Sequence, residues 1–116
     1  KALRESFRAS IEGGDKTLHE GIYMAYPGPE YETPAEVKVA RTYGADALGM
    51  STVLEATTAH ALGANVLGLS IIINRATGLE NGRLSHEDAI ASGHDTATDL
   101  VAMIRKWVHE SAIDVL

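Results

Sequence analysis

The chain has 116 residues, of which 45% are apolar, 22% charged and 5% aromatic, a profile that suits one soluble domain able to bury roughly two thirds of its unfolded surface. No cysteine is present, which excludes a disulfide framework and a thiolate metal site. Asp and Glu number 16 against 10 Lys and Arg, a formal charge of −6 that argues against a footprint on the phosphate backbone of DNA or RNA and against an anionic membrane surface.

From Ala2 to Glu12 the apolar residues Leu3, Phe7 and Ile11 recur every four positions, which predicts a helix ended by Gly13-Gly14. Glu20 to Tyr26 carries Ile22, Tyr23 and Tyr26 and reads as a buried strand that runs into the rigid turn Pro27-Gly28-Pro29. Thr33, Pro34 and Glu36 form a capping box that opens a helix over 33 to 43, with Gly44 as its stop. Ala45 to Gly49 alternates apolar residues and predicts a second strand. Thr52 with Glu55 three residues later repeats the capping signal and opens an Ala-rich helix ended by Gly63.

Asn65 to Ile73 is a near-continuous apolar run, the pattern of a strand covered on both faces and about half of the ~20 residues a bilayer span requires. Gly68-Leu69-Ser70 inside it reads as a place of close packing. A polar loop, Asn74 to Leu84, leads to Ser85 and Asp88, a third capping signal for a last helix that runs to about Ala112. Its stripe of Ala97, Leu100, Val101, Ile104, Trp107 and Val108 has the spacing of a helix packed on a core. The alternation of strands and helices predicts an α/β fold with right-handed crossovers, a mostly parallel sheet and helices on both sides. The chain opens on Lys1-Ala2-Leu3-Arg4-Glu5 with neither an initiator Met nor a secretory leader, so it is expected to be a piece of something longer.

In open α/β sheets ligands bind beyond the carboxyl ends of the strands. Those ends carry Pro29, Glu30, Tyr31 and Glu32 after the first strand, Met50, Ser51 and Thr52 after the second, and Asn74 and Arg75 after the third. A carboxylate accepts from ring N–H groups and a carboxamide both donates and accepts, so Glu32 and Asn74 suit the edge of a flat heteroaromatic ring. Backbone amides and hydroxyls at the helix start after Gly49 suit an anion such as phosphate.

Each residue also has a plainer reading. Thr33 and Thr52 read as caps, Met50 as core filler, Asn74 as a turn residue, Glu32 as a solvated partner of the helix dipole, and Tyr31 as packing over the turn. The five histidines, His19, His60, His86, His94 and His109, show no metal-ligand spacing, so no metal is expected. Neither a Gly-x-Ser-x-Gly elbow nor a Walker-type loop occurs, and Ser51 has no evident base partner.

The run Gly28-Pro29-Glu30-Tyr31-Glu32-Thr33-Pro34-Ala35-Glu36 resembles the signature of the trimeric purine nucleoside phosphorylases. Gly44-Ala45-Asp46-Ala47-Leu48-Gly49-Met50-Ser51-Thr52-Val53 and Ser70-Ile71-Ile72-Ile73-Asn74 resemble its next two segments in order and spacing, and Leu84-Ser85-His86-Glu87-Asp88 resembles the start of the family's last helix. The resemblance covers residues 1–116 and matches the C-terminal part of a single nucleoside phosphorylase domain. It implies part of a phosphorylase/hydrolase-like fold, with a mostly parallel or mixed twisted sheet flanked by helices.

The implied activity is reversible phosphorolysis of a purine nucleoside to free base and ribose 1-phosphate, with inorganic phosphate as co-substrate and no cofactor. By resemblance Glu32 binds the purine N1–H and Asn74 the O6 and N7 edge, Tyr31 packs against base and sugar, Met50 contacts the ribose, Ser51 the phosphate and His86 the 5′-hydroxyl. Tyr23 would belong to the pocket wall. Asn at position 74 resembles the pattern for 6-oxopurines such as inosine and guanosine.

Ile73 stands where many members have Thr, and Leu54 where a Pro is common. The family's Gly-rich phosphate loop, its phosphate-binding Arg and His, and an aromatic from the neighbouring subunit have no counterpart in residues 1–116. Homotrimeric assembly and a cytoplasmic location are implied in the same way. The alternatives are a methylthioadenosine or xanthosine phosphorylase or, for the fragment alone, a non-catalytic binding module.

Overall fold

The computed structural model describes residues 1–12, 14, 18–79 and 86–111, the side chains of 86–92, 94 and 95 excepted. The elements in chain order are α1 (Ala2–Ile11), β1 (Tyr23–Ala25), α2 (Pro34–Thr42), β2 (Ala47–Gly49), α3 (Val53–Ala61) and α4 (His86–Glu110). The α/β class holds, with two strands paired in parallel.

Phe7, at the centre of the α1 stripe, is 1% exposed and meets Trp107 of α4 edge to face, with ring centroids 5.4 Å apart and planes at 87°. That geometry places the positive ring edge on the negative face. The Trp107 indole N–H donates to Ser6 Oγ at 2.9 Å, so the polar end of the ring is also satisfied. Along the predicted α4 stripe Ala97, Leu100, Ile104 and Trp107 are half-buried, while Val101 and Val108 stay exposed. Arg4 and Arg8 of α1 both reach Glu20, at 3.3 and 3.1 Å, and tie the helix to the lead-in of β1. All three side chains are about half exposed, so these pairs position more than they stabilise.

The strands pair Tyr23 with Ala47, Met24 with Leu48 and Ala25 with Gly49. Asp46 closes the amino end of the ladder, where its carboxylate accepts the Ile22 N–H at 2.8 Å and its own N–H donates to the Ile22 carbonyl at 2.9 Å. A Cβ at Gly21 would stand 2.9 Å from the Asp46 carboxylate, so the position opposite Asp46 has to be small.

At α2 both halves of the predicted capping box form. The Glu36 N–H donates to Thr33 Oγ1 at 3.3 Å, and the Thr33 N–H and hydroxyl both donate to Glu36 Oε2 at 2.7 Å. Val37 and Ala40 bury the inner face of the helix, and with Phe7 they are the buried apolar residues among those described.

Several expectations fail: the strand expected to be buried over Glu20 to Tyr26 is only Tyr23–Ala25 and half-buried, with Ile22 58% exposed. At α3, Thr52 makes no side-chain cap; its backbone takes φ 77°, ψ −48° instead, and its hydroxyl pairs with Ser51 Oγ at 3.1 Å. Asn65 to Ile73 is not a strand, because residues 65–73 exchange no backbone hydrogen bond with another described residue. An apolar run favours a strand, but only a neighbouring strand supplies the ladder. Cover on both faces is absent too, since Ile72 is 69% exposed. The close packing expected at Gly68 is likewise not found, for a Cβ there would meet only the Thr52 methyl, at 3.8 Å. The third capping signal, at Ser85 and Asp88, lies outside the described residues.

The Thr33 backbone bond first, then the Thr33 hydroxyl, hold the Glu36 carboxyl below its ordinary 4.5 against a lesser opposing desolvation. Because the folded value is the lower one, the contribution of the cap is complete above pH 4.5 and is lost as pH falls through the depressed folded value. Acid titration of the helical circular dichroism signal should therefore show a smaller loss below pH 4.5 for Glu36→Gln than for the parent chain. Superimposable curves would mean that the carboxylate carries no part of the cap.

Candidate active site

Parallel pairing puts the carboxyl ends of β1 and β2 side by side, so the loops that follow them leave from one edge. The Tyr26 N–H donates to the Gly49 carbonyl at 2.9 Å and carries the contact one residue past β1. Beyond it the chain turns through Gly28, at φ +65°, a left-handed conformation that favours glycine. A Cβ at Gly28 would stand 2.8 Å from the Met50 sulfur. Thus Met50, first after β2, lies directly on the loop that carries Tyr31 and Glu32.

Tyr31 and Met50 are 40% and 43% exposed, an aromatic ring and a thioether turned to solvent at the strand ends. Exposure on this scale is inconsistent with reading Met50 as core filler. Glu32 is half-buried. Its neighbour Glu36 is committed to Thr33 through Oε2, so it is Glu30 and Glu32 that bring carboxylates to the loop ahead of α2. The Tyr26 hydroxyl donates to the Glu36 carbonyl at 3.1 Å and ties the base of the loop to α2.

After β2 the Val53 N–H donates to the Ser51 carbonyl at 2.9 Å, closing a three-residue turn on the positive φ of Thr52. Such a backbone for a β-branched residue costs on the order of 1–3 kcal/mol and is found where surrounding structure enforces it. The turn sets the Ser51 and Thr52 hydroxyls side by side ahead of the α3 amides, which have no side-chain cap from Thr52. The capping signal in the sequence misses this turn because Thr followed by Glu is compatible with both geometries.

Asn74 is half-buried, and its amide nitrogen donates to the Arg75 carbonyl at 2.9 Å, a bond that does not engage the carboxamide oxygen. Its loop folds back on the start of α2, where a Cβ at Gly78 would lie 3.0 Å from Pro34 Cβ. Ile73, just before Asn74, lies near the α4 backbone at Gly93, where a Cβ would be 3.4 Å away. The structure therefore brings the Asn74 loop and the Glu32 loop to one end of α2, and Met50 onto the latter. Tyr23 lies across the ladder with its hydroxyl over Gly49, where a Cβ would collide with it. His86 begins α4, and its side chain is outside the described residues.

Two residues escaped the sequence reading. Asp46 lies inside a run read as strand, and its bond to the Ile22 amide depends on a pairing partner that no local pattern announces. Thr77, in the Asn74 loop, has a buried hydroxyl with no hydrogen-bond partner among the described residues. Among the described residues no three His, Asp or Glu side chains are grouped so as to hold a metal ion, and no helix is long and apolar enough to cross a membrane. Two clefts of about 320 and 110 Å³ lie beside α1 and residues 65–69, and neither is lined by Glu32, Met50 or Asn74. The candidate residues form an open wall.

Residues 1–109 match the family model described as the phosphorylase superfamily. The purine nucleoside phosphorylase of Mycobacterium tuberculosis is 47% identical over 102 residues, which cover 88% of this chain and 37% of that protein. Purine nucleoside phosphorylase 1 of Geobacillus stearothermophilus is 40% identical over 112 residues, 97% of this chain and 41% of that one. The Schistosoma mansoni purine nucleoside phosphorylase in complex with inosine superposes with a TM-score of 0.86 at 29% identity, covering 95% of this chain and 40% of its own. The same enzyme with adenosine gives 0.89 at 29% identity, with 98% and 42% covered. The chain thus spans about two fifths of the length of these relatives.

Gly28→Ala should force both the left-handed backbone and the Met50 side chain to shift, at a cost of about 1–2 kcal/mol from the backbone alone. The Met50 methyl resonance should move in a carbon–proton correlation spectrum, and denaturant unfolding should begin earlier. An unmoved methyl resonance would mean that Met50 does not rest on this turn.

Proposed function

The chain belongs to the phosphorylase superfamily, and from that premise we propose that it carries the base-recognising part of a purine nucleoside phosphorylase. The reaction is reversible: phosphate attacks C1′ of the nucleoside, the glycosidic bond breaks, and free base and ribose 1-phosphate result. The observation that carries the reading is the meeting of the Glu32 loop with Met50 at Gly28 and with the Asn74 loop at Pro34.

Glu32 accepts the purine N1–H, and Asn74 donates to N7 and reads O6. Tyr31 covers base and sugar, Met50 touches the ribose, and Ser51, paired with Thr52 ahead of the α3 amides, takes a phosphate oxygen. Tyr23 forms wall behind Gly49, and His86 holds the 5′-hydroxyl. As the glycosidic bond breaks the sugar becomes cation-like and the purine gains negative charge. A donor at N7 therefore binds the transition state more strongly than the ground state. Loss of one such preorganised donor commonly costs on the order of 10²-fold or more in rate. Inorganic phosphate is the co-substrate, the chemistry requires no cofactor, and the working form is a cytoplasmic homotrimer.

The preferred substrates are 6-oxopurine nucleosides, inosine and guanosine with their deoxy forms. A carboxamide at position 74 can donate to N7 while matching O6, whereas an acid there suits a 6-amino group. In the phosphorolytically active protein, Asn74→Asp should lower the inosine-to-adenosine ratio of kcat/KM by about tenfold or more, the weight of one hydrogen bond of 1.4 kcal/mol. An unchanged ratio would remove Asn74 as the discriminating residue, and no phosphate-dependent hypoxanthine release from inosine by the parent protein would defeat the reading altogether.

A further inference from the structure

The loop that carries Asn74 is closed by a tight turn. The Leu79 N–H donates to the Ala76 carbonyl at 3.1 Å, and Gly78, third in the turn, holds φ +81°. Thr77 before it does not share that sign, so the backbone is that of a type II turn, whose third residue has to be left-handed. The turn is seated on α2. A Cβ at Gly78 would lie 3.0 Å from Pro34 Cβ and 3.2 Å from Pro34 Cγ, inside the ~3.5–4.0 Å of ordinary carbon contact. Beside it the Thr77 hydroxyl is buried. Only hydrogen fits between the turn and the proline ring at this point. Pro34 is a stiff abutment, since its ring fixes φ at the first position of α2, next to the Thr33 cap. It stands two positions after Glu32, and Gly78 stands four positions after Asn74.

We propose that Gly78 is a positioning residue for recognition of the purine edge: seated on the Pro34 ring, the 76–79 turn sets the reach of the Asn74 carboxamide relative to the Glu32 carboxylate. The inference rests on the proposed function. Two groups that read one flat ring from separate loops must keep their separation to within about 0.5 Å. Bonds inside each loop do not provide this. Glu32 is placed by the reciprocal bonds of Thr33 and Glu36, and the Asn74 amide donates to the neighbouring Arg75 carbonyl. The contact of Gly78 with Pro34 joins one loop directly to the other. Lifting the turn off the ring displaces Asn74 and leaves Glu32 at its cap. A donor at N7 acts mainly in the transition state, so the displacement lowers kcat more than it raises KM.

The test uses the phosphorolytically active protein and initial rates with inosine. Gly78→Ala and Gly78→Asn both add the Cβ that meets Pro34. Asn tolerates a left-handed backbone, so the second variant separates the contact from strain in the turn. Because a misplacement of about 1 Å can cost about 10²-fold in rate, each should lower kcat about tenfold or more and change KM by less than about threefold. 7-Deazainosine, which lacks the N7 acceptor, should inhibit the parent and both variants with constants equal within about twofold. Adding Pro34→Gly leaves the Cα at position 34, at 3.7 Å, as the nearest neighbour of the new Cβ, and should raise the kcat of Gly78→Asn about threefold or more. An unchanged kcat in both variants, a loss carried by KM alone, 7-deazainosine inhibition weakened in proportion to the rate, or a double variant no faster than Gly78→Asn would each overturn the inference. A parent protein that releases no hypoxanthine from inosine and phosphate would refute the proposed function itself, whereas an active parent with indifferent Gly78 variants refutes the positioning role alone.

Discussion

The parallel register of β1 and β2 is the constraint on which the candidate site depends. Parallel strands place their carboxyl ends at one edge, and the pairing of Ala25 with Gly49 puts the two departing loops next to each other. The register is held at its other end by Asp46, whose carboxylate takes the Ile22 amide while its own amide returns a bond to Ile22. A slip of one residue would turn every side chain to the opposite face and take Met50 off Gly28. The ladder is only three residues long, so these end contacts fix the register more than the strands themselves do.

What was legible in the sequence was what is local. The Thr33–Glu36 box, the α1 stripe centred on Phe7 and the turn at Gly28 are set by residues within a few positions of each other, and the structure has all three. Thr52 marks the limit of that method. Its spacing to Glu55 matches a capping box, yet the turn that joins β2 to α3 needs a left-handed residue, and the geometry of the connection prevails over the local preference. Residues 65–73 fail for a different reason. Their near-continuous apolar run is genuine, but a strand is a relation between two segments, and composition describes one of them.

Among the candidate site residues, Glu32, Tyr31 and Met50 were readable because strand ends in α/β sheets are known positions, and pairing then brought them together. Asp46 was not readable, since a charged residue at a strand start looks like a solvated one until its partner amide is seen. Thr77 is similar: its buried hydroxyl has meaning only once the Asn74 loop is folded against α2. The three motif segments carried the family likeness independently of these details, which is why the family was recognisable where the geometry was not.

The two residues assigned to the purine edge are held in unequal ways. Glu32 precedes a helix start fixed by reciprocal bonds between Thr33 and Glu36, and Tyr26 ties the base of its loop to α2, so its position is determined within about ten residues of chain. Asn74 follows the segment 65–73, which exchanges no backbone hydrogen bond with another described residue, and its loop meets the rest of the chain through Ile73 near Gly93 and Gly78 at Pro34. A donor stabilises a transition state only as far as it is preorganised, because any freedom must be lost during the reaction. The position of Glu32 is thus set largely by local structure, whereas that of Asn74 depends on contacts between segments distant in the chain.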